Sequence, residues 1–572
     1  MQNLSLDNGF GTIECRIRTL TTLLQNIHPR NTPDEPVSSP PGLLDHLVNL
    51  FQGDDEKDGY PADRISMAGV ETADGLRILA VTENMSGAGD TVKVIRITKS
   101  DRTFDELVNG QIGSSVKDCI SDIWAALALF EEDTNDLRQR FQALTQCIVA
   151  RNFWKISSLL REINSPSNLE LSRVLLDWEP QPYDLQEPRW ICVPSWLTSI
   201  DHHKWHNRDL IEQRKVAGPT GVEVQWEISL SSAKGWIGLL ARFMDELVSA
   251  FQIHEDILRS DSKDTSALEN IVTWTFLLSS YLHWEEGILQ TLLKKTSLSF
   301  KLKTHAFDKA CSAHSKSTFT SGAHVLSHLK KIVAWYDALQ NLCFNEEYSS
   351  IRKPSQTHAT CLVEIPASPE ASRLCGTRED LTSHFIKQCT PSVEKLSLFE
   401  ALLDEHYTTE FYGSVHAEAV LMGLIAHFSQ DFNNSTSNSY GVEFKQETRA
   451  ILEEFILPLP AEKVIVLSDG FPPCSCCRWL STRLNSGFQL TSTKGQKFVS
   501  TSAWTPPPVG VDTALLEDLE ANLLDELDFR LRIMKISTSH EDQPDTISDN
   551  GYAATISDYS SPEEDRDFEV SD

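Results

Sequence analysis

The sequence predicts an α+β protein in which a mainly helical N-terminal region precedes a three-layer α/β/α domain and a disordered acidic tail. Three observations predict this. Apolar residues recur at helical spacing through much of 116–344. The H-x-E run at 416–418 and the C-x-x-C run at 474–477 each begin a predicted helix, and an apolar strand-like run at 463–468 lies between them. The residues from Ser537 onward are polar and acidic, as in disordered tails.

The chain of 572 residues is too long for one hydrophobic core, so we expect several units. In order, these are an N-terminal segment that is partly linker over 1–65, a mainly α-helical domain over 66–350, a zinc-binding domain over 355–510, an amphipathic helix over 511–536 and a disordered acidic tail over 537–572. Near the start of the helical domain, strand-like runs at 76–82 and 92–98 flank a glycine-rich turn and predict a β-hairpin.

Other elements follow from apolar spacing. Helices are predicted over 17–27, 43–51, 116–163, 233–258, 267–294, 323–344 and 396–406, and a strand over 358–366. The leucine stripe of 513–535 is interpreted as a packing face, with a partner helix as the alternative. The His-rich run at 202–206 is interpreted as a loop rather than a metal cluster, and the many tryptophans as core residues rather than base-stacking platforms.

Three side chains have the chemistry and spacing of a metal site. His416, Cys474 and Cys477 supply one imidazole and two thiolates, which neutralise a dication and leave its fourth position for water. Cys474 and Cys477 are one helical turn apart and share a face. His416 and Glu418 do not share a face, so they converge only beyond the helix N-terminus, where the helix dipole favours an anion. We therefore predict a zinc ion at this point, with Glu418 beside it as a proton carrier and not as a ligand.

The motifs resemble a known family. The resemblance rests on the runs Gly413 to Glu418, Pro473 to Cys477, Thr493 to Phe498 and Trp504 to Pro507, with the strand at 463–468. They look like the fungal branch of the Orientia-type deaminase-like family, within the cytidine-deaminase-like superfamily, over about 360–508. The resemblance implies a zinc-dependent deaminase fold, with the His and the two Cys as ligands and the Glu as proton shuttle. It also implies a substrate that is a nucleic acid, a nucleotide or a nucleoside.

Two classes of function follow from these residues. The first is a hydrolase that uses Zn²⁺ to cleave the C–N bond of a cyclic amidine in a nucleobase, free or single-stranded. The alternative is a non-catalytic interaction protein that retains a structural zinc site, with protein partners on the helical region or the acidic tail. Cys476 discriminates between them, because a thiol that closes the fourth coordination position makes the site structural.

Composition restricts the partners. The net charge of −31 argues against a broad phosphate-binding surface, so a free nucleoside or nucleotide, or a short single strand, is favoured over a duplex. The 12 cysteines are mostly scattered singly, which favours a reducing compartment, the cytoplasm or the nucleus. Neither a secretory signal nor a membrane-spanning run is predicted.

Overall fold

A six-stranded mixed sheet organises the fold, and helices pack on both of its faces. The computed structural model describes residues 8–27, 42–51, 65–84, 92–103, 106–107, 115–128, 130, 137–163, 171–185, 187–200, 204–218, 221–260, 266–284, 287–304, 321–353, 356–366, 376–408, 411, 414–429, 444–460, 464–468, 474–484, 487–492 and 503–541.

The α-helices of the described residues follow one another along the chain. They are α1 (Asn8–Asn26), α2 (Leu43–Leu50), α3 (Val116–Ala128), α4 (Leu137–Arg151), α5 (Phe153–Ile163), α6 (Leu171–Leu176), α7 (Ser195–Thr198), α8 (Ala233–Arg259), α9 (Ser266–Leu282), α10 (Ile288–Lys295), α11 (Leu298–Thr304), α12 (Ser321–Phe344), α13 (Ser349–Arg352), α14 (Arg378–Cys389), α15 (Val393–His406), α16 (Ala417–Ser429), α17 (Gln446–Ile456), α18 (Ser475–Arg483) and α19 (Thr513–Glu541).

The strands form three sheets. They are β1 (Ile65–Thr72), β2 (Gly75–Asn84), β3 (Lys93–Thr98), β4 (Arg189–Cys192), β5 (Gln213–Gly218), β6 (Gly221–Ile228), β7 (Ala359–Pro366), β8 (Ser414–Val415), β9 (Val464–Ser468), β10 (Phe488–Ser492) and β11 (Trp504–Thr505). The large sheet has the order β10-β9-β1-β2-β7-β3, β4-β6-β5 form a small antiparallel sheet, and β8 pairs with β11.

Both faces of the large sheet are buried. In β2, Ile78 and Ala80 belong to one apolar core and the alternate residues Leu79 and Val81 to another, as the two-residue period of a strand requires. The first core also contains residues of α2 to α13, and the second contains residues of α1 and of α14 to α19. The predicted combination of α-helices and β-strands is thus confirmed, and the strands include a six-stranded mixed sheet.

The predicted hairpin is wrong in its pairing. β2 and β3 are both strands, but β7 lies between them, parallel to β2 and antiparallel to β3. The hairpin partner of β2 is β1, which the periodicity did not reveal because its middle carries Ala68 and Gly69. The two loop residues of this hairpin are Ala73 and Asp74, and Gly75, the first residue of β2, has a φ of +138°, which favours glycine.

The boundary predicted between 66–350 and 355–510 therefore separates strands that one sheet joins. β1, β2 and β3 belong to the same sheet as β7, β9 and β10. The helical stretch that begins with α3 and ends with α13 is inserted between β3 and β7, and it shares a core with one face of the sheet. The N-terminal α1, which includes the helix predicted over 17–27, packs in the other core.

Within the helical region, the structure refines the predictions. The helix predicted over 267–294 is two helices, because Gly287 adopts a φ of +60° between α9 and α10. The sheet β4-β6-β5 was not predicted, since its first strand lies in a proline-rich stretch. Trp205, Trp226 and Trp236 are buried with ring centroids 5.6 to 6.2 Å apart, which confirms the core interpretation for these three.

The C-terminal helix is longer than predicted. α19 extends to Glu541, into the segment predicted as tail, and residues 542–572 lie outside the described residues. Its leucine stripe packs in the second core, against α1 among other helices, so the packing interpretation is confirmed. No helix in the described part of the chain is long and apolar enough to cross a membrane.

Candidate metal centre

His416 is placed by a short strand and an apolar helix. β8 ends at Val415 and pairs in parallel with β11, and His416 follows directly before α16 begins. The carbonyl oxygen of His416 accepts a hydrogen bond from the Val420 N–H at 3.2 Å, so the histidine occupies the N-terminal boundary of the helix. α16 is buried on nearly every side, as its continuous run of apolar residues predicts.

The two cysteines occupy the start of α18. Cys474 is the N-cap residue, with φ −66° and ψ 163°, and its Sγ accepts a hydrogen bond from the Cys477 backbone N–H at 3.4 Å. A side chain that satisfies a free N–H at this position stabilises a helix start. α18 connects the parallel strands β9 and β10, so the cysteines lie beyond the carboxyl end of β9, where ligand sites of parallel sheets commonly form.

The structure brings the three predicted ligands together. The ligand atoms of His416, Cys474 and Cys477 all lie within 4.8 Å of one another, and the three residues are buried. Cys477 Sγ is 3.5 Å from His416 Nδ1. These two residues are 61 positions apart in the chain, so their contact depends on the packing of α16 against α18. The group can hold a metal ion.

The spacing of the candidate ligand atoms matches the size of such an ion. Sulfur and nitrogen ligands bind zinc at about 2.3 and 2.0–2.1 Å, so two of them at a tetrahedral angle are separated by about 3.5 Å. The observed separation of Cys477 Sγ and His416 Nδ1 is 3.5 Å. One imidazole and two thiols also match the ligand preferences of a borderline-soft dication. The residues present therefore fit a tetrahedral ion of this kind.

The thiols differ in acidity. Burial disfavours the thiolate of Cys474, but hydrogen bonds from Cys476 and Cys477, together with the charge of His416, hold its pKa well below the ordinary value. For Cys477, burial raises the pKa well above the ordinary value, and the neighbouring Cys474 and Glu418 act in the same direction. Cys474 is thus the more acidic of the two thiols, and thiol ligands in general lose their protons when a metal ion binds.

Glu418 lies beside this group without belonging to it. It is in the first turn of α16, two residues after His416, and its side chain is half-buried. Its negative charge contributes to the raised pKa of Cys477, so its field reaches the thiol. It is not among the residues whose ligand atoms lie within 4.8 Å of one another. Glu418 is therefore near Cys477 but outside the candidate ligand group.

Cys476 is buried but is not a fourth member of the group in the described structure. It is 1% exposed and belongs to the second apolar core. The hydrogen bond that it makes to Cys474, together with burial, raises its own pKa well above the ordinary value. The Cys476 thiol is therefore a neighbour of the candidate ligand Cys474 and lies outside the candidate ligand group.

Sequence reasoning missed the parts that support His416. Trp504 pairs with Ser414 in the β8–β11 ladder, and its backbone N–H donates a hydrogen bond to Thr21 Oγ1 of α1 at 3.1 Å. Helix α1 thereby supports the strand pair that ends at the histidine. The motif residues Gly413, Pro473, Lys494 and Lys497 lie outside the described residues.

Comparisons with known proteins identify no relative: neither a family model, nor a curated protein, nor a solved structure matches this chain.

Proposed function

We propose that this protein is a zinc-dependent hydrolytic deaminase that acts on a nucleobase in a nucleoside, a nucleotide or a single-stranded nucleic acid. The observation that carries the proposal is the convergence of His416, Cys474 and Cys477, with a 3.5 Å separation of sulfur and nitrogen and with Glu418 adjacent. The motif H-x-E with P-C-x-x-C, and the resemblance to the deaminase-like family, give the reaction class.

The proposed mechanism assigns each residue one task. His416, Cys474 and Cys477 would hold the ion, which when bound supplies a Lewis acid that lowers the pKa of a water to about 7. Glu418 accepts a proton from the attacking water and delivers it to the ring nitrogen of the base. It then transfers the second water proton to the departing amine, so that one water is consumed and one ammonia leaves for each carbonyl formed. The apolar surroundings of α16 limit competing water.

The alternative is a non-catalytic protein with a structural zinc site. Structural sites usually have four protein ligands, and three are present among the described residues. The glutamate would also have no task in such a site. We therefore favour the enzyme.

The decisive experiment compares two glutamates in the same helical position. Glu418 and Glu447 are each the second residue of a helix, α16 and α17, and Glu447 is exposed. Zinc-loaded wild type, Glu418→Gln and Glu447→Gln are assayed for zinc content and for ammonia release from nucleosides, nucleotides and single-stranded DNA and RNA. We expect Glu418→Gln to retain zinc and lose about 10²–10⁴-fold in rate, while Glu447→Gln retains both.

Two results would reject this assignment. If Glu418→Gln loses its zinc, Glu418 is a ligand and not a proton carrier. If zinc-loaded wild type releases no ammonia from any of these substrate classes, the structural alternative is favoured.

A further inference from the structure

Three thiols lie close together at the start of α18. Cys474, Cys476 and Cys477 are at most 4% exposed, and all three are free in the structure. The Sγ atoms of Cys474 and Cys477 lie within 4.8 Å of each other. Cys476 also donates a hydrogen bond to the sulfur of Cys474. The proposed reaction uses the sulfurs only as metal ligands, so their reactivity toward one another is a further property of this cluster.

Cys474 and Cys477 have the arrangement of a redox-active dithiol. Cys474 is the N-cap residue of α18, and the backbone N–H of Cys477 donates a hydrogen bond to its sulfur at 3.4 Å. This hydrogen bond holds the first sulfur above the first turn of the helix, close to the second thiol. The two sulfurs need to approach by less than about 3 Å to reach the disulfide bond length of about 2.0 Å. C-x-x-C pairs at helix N-termini commonly cycle between dithiol and disulfide.

Cys476 is the less suitable partner for Cys474. Residues two positions apart on a helix do not share a face, whereas residues three positions apart do. Cys476 is also 1% exposed, belongs to the second apolar core and lies outside the group that includes His416. We therefore expect a disulfide at this site to join Cys474 to Cys477.

We propose that Cys474 and Cys477 form a peroxide-sensitive switch, in which a reversible disulfide between them removes two of the three candidate metal ligands. The regulatory consequence rests on the proposed function, because the disulfide leaves His416 alone to hold the ion. The oxidant is a small hydroperoxide. Since the thiols are at most 4% exposed, a large oxidant does not reach them, whereas a site that admits a water to its fourth coordination position admits hydrogen peroxide.

The oxidation proceeds in two balanced steps. The sulfur of Cys474 attacks one oxygen of hydrogen peroxide, the O–O bond breaks, and a sulfenic acid and one water are formed. The sulfur of Cys477 then attacks the sulfur of Cys474. The S–S bond forms as the S–O bond breaks, and the proton of the second thiol leaves with the hydroxyl group as a second water. Two electrons pass from the pair of thiols to the peroxide, and a dithiol reductant returns them.

Zinc release and disulfide mapping test the switch without an activity assay. Zinc-loaded full-length protein is treated with hydrogen peroxide at about 1 mM, released zinc is measured with a chromogenic chelator, and disulfides are located by alkylation and peptide mass spectrometry. We expect about one zinc per chain to be released in step with one disulfide between Cys474 and Cys477. Dithiothreitol followed by zinc should restore the original zinc content.

Two variants assign the reacting sulfurs. Cys192→Ser is the control, because it removes an exposed thiol on β4 and should leave the release of zinc unchanged. Cys476→Ala should form the same disulfide as the wild type. The switch is overturned by zinc that stays bound in peroxide, by a disulfide that includes Cys476, or by zinc release without a disulfide, which would mean irreversible oxidation of the ligands.

Ammonia release before and after the peroxide treatment separates the switch from the proposed function. If the reduced, zinc-loaded protein has no deaminase activity but forms the disulfide and releases its zinc, the deaminase assignment is wrong and the switch is supported. If an active protein retains its zinc and its activity in peroxide, the switch is wrong and the deaminase is supported. Wild-type protein that binds no zinc rejects both.

Discussion

Arg16 and Glu520 form a buried, two-bond ion pair between helices that are 504 residues apart in the chain. Arg16 Nε is 2.5 Å from Glu520 Oε1, and Nη2 donates to Oε2 at 3.0 Å. The two side chains are 8% and 6% exposed. Asp380 of α14 and His384 contact the same pair at 3.4 Å. The pair therefore fixes α1, which supports the strand next to His416, against α19.

Removing one partner of this pair should destabilise the protein strongly. We expect Glu520→Gln to lower the free energy of unfolding by about 3–5 kcal/mol, because the Arg16 charge then stays buried without its main partner. The double variant Arg16→Met with Glu520→Met should recover most of the loss, since no buried charge remains. Urea denaturation measures both. Arg173→Met, in an exposed pair with Asp177, is the control and should change stability by less than about 1 kcal/mol.

Local patterns in the sequence predicted most helices, whereas sheet pairing depends on residues far apart. The spacing of apolar residues in α8 and α12, and the β-branched run of β9, are properties of short segments. β7 lies between β2 and β3 because it pairs with β2, a buried strand about 280 residues earlier in the chain. No local signal in the sequence encodes this pairing.

The convergence of the three candidate metal ligands could also be predicted from local sequence. Cys474 and Cys477 are one turn apart and His416 begins a helix, so their convergence needed only the packing of two helix starts. The contribution of Thr21 and Trp504 was not predictable, because it joins residues 483 positions apart through a backbone hydrogen bond. The position of the Cys476 thiol outside the ligand group could also be seen only in the structure, since the rotation of α18 about its axis decides which thiols face His416.

Gly510 is expected to be essential to the packing of α16, the helix that follows His416. It has a φ of +75°, and a Cβ there would lie 2.0 Å from the Gly423 carbonyl oxygen of α16. Gly510→Ala should therefore lower the free energy of unfolding by about 3 kcal/mol, from backbone strain and the clash together. Gly287→Ala is the matched control, with a φ of +60° but open space around its Cβ, and should cost about 1 kcal/mol. Equal losses in the two variants would contradict the proposed clash.

The protein is expected to lose stability in mild acid. Burial lowers the pKa of His46 to about 4 and also lowers the pKa values of His254 and His358. In the unfolded chain, the His46 side chain binds a proton near pH 6.5. In the folded protein, the same side chain stays neutral down to about pH 4. The contribution of neutral, buried His46 to the free energy of unfolding is fully present above pH 6.5. It is lost as the pH decreases towards 4, and the loss is on the order of 2–3 kcal/mol.

This pH effect can be assigned by substitution. His46→Gln should flatten the dependence of the unfolding free energy between pH 6.5 and 4, as measured by urea denaturation at several pH values. His206→Gln, at an exposed position, should leave the slope unchanged. A slope that is the same in wild type and His46→Gln would contradict the assignment to this residue.

Zinc content should separate the three clustered thiols. We expect one zinc per chain in the wild type, loss of the ion in Cys474→Ala with Cys477→Ala, and retention in Cys476→Ala, because Cys476 lies outside the ligand group. Cys343→Ala, a buried cysteine of the helical region, is the control for cavity effects. Elemental analysis of the purified variants gives the answer. Zinc loss in Cys476→Ala would identify a fourth ligand and favour the structural alternative over the enzyme.

The last prediction concerns the substrate and rests on the charges around α18. Arg478 and Arg483 are exposed on this helix, but Arg483 Nη2 is 3.5 Å from Asp518 Oδ2, so part of the positive charge is neutralised. With two cations, single-stranded nucleic acid should bind so that the logarithm of the binding constant falls with the logarithm of the salt concentration with a slope of magnitude below about 2, whereas six phosphate contacts on a duplex would give a slope of about 5.

The variant Asp518→Asn should release Arg483, tighten the binding of single-stranded nucleic acid a few-fold and steepen this slope by about 0.7. Fluorescence anisotropy of labelled single-stranded and duplex oligonucleotides between 50 and 200 mM KCl measures these slopes. A slope near 5 with a duplex would reverse the preference for a free or single-stranded substrate, because such binding requires a phosphate-contacting surface much larger than these two arginines provide.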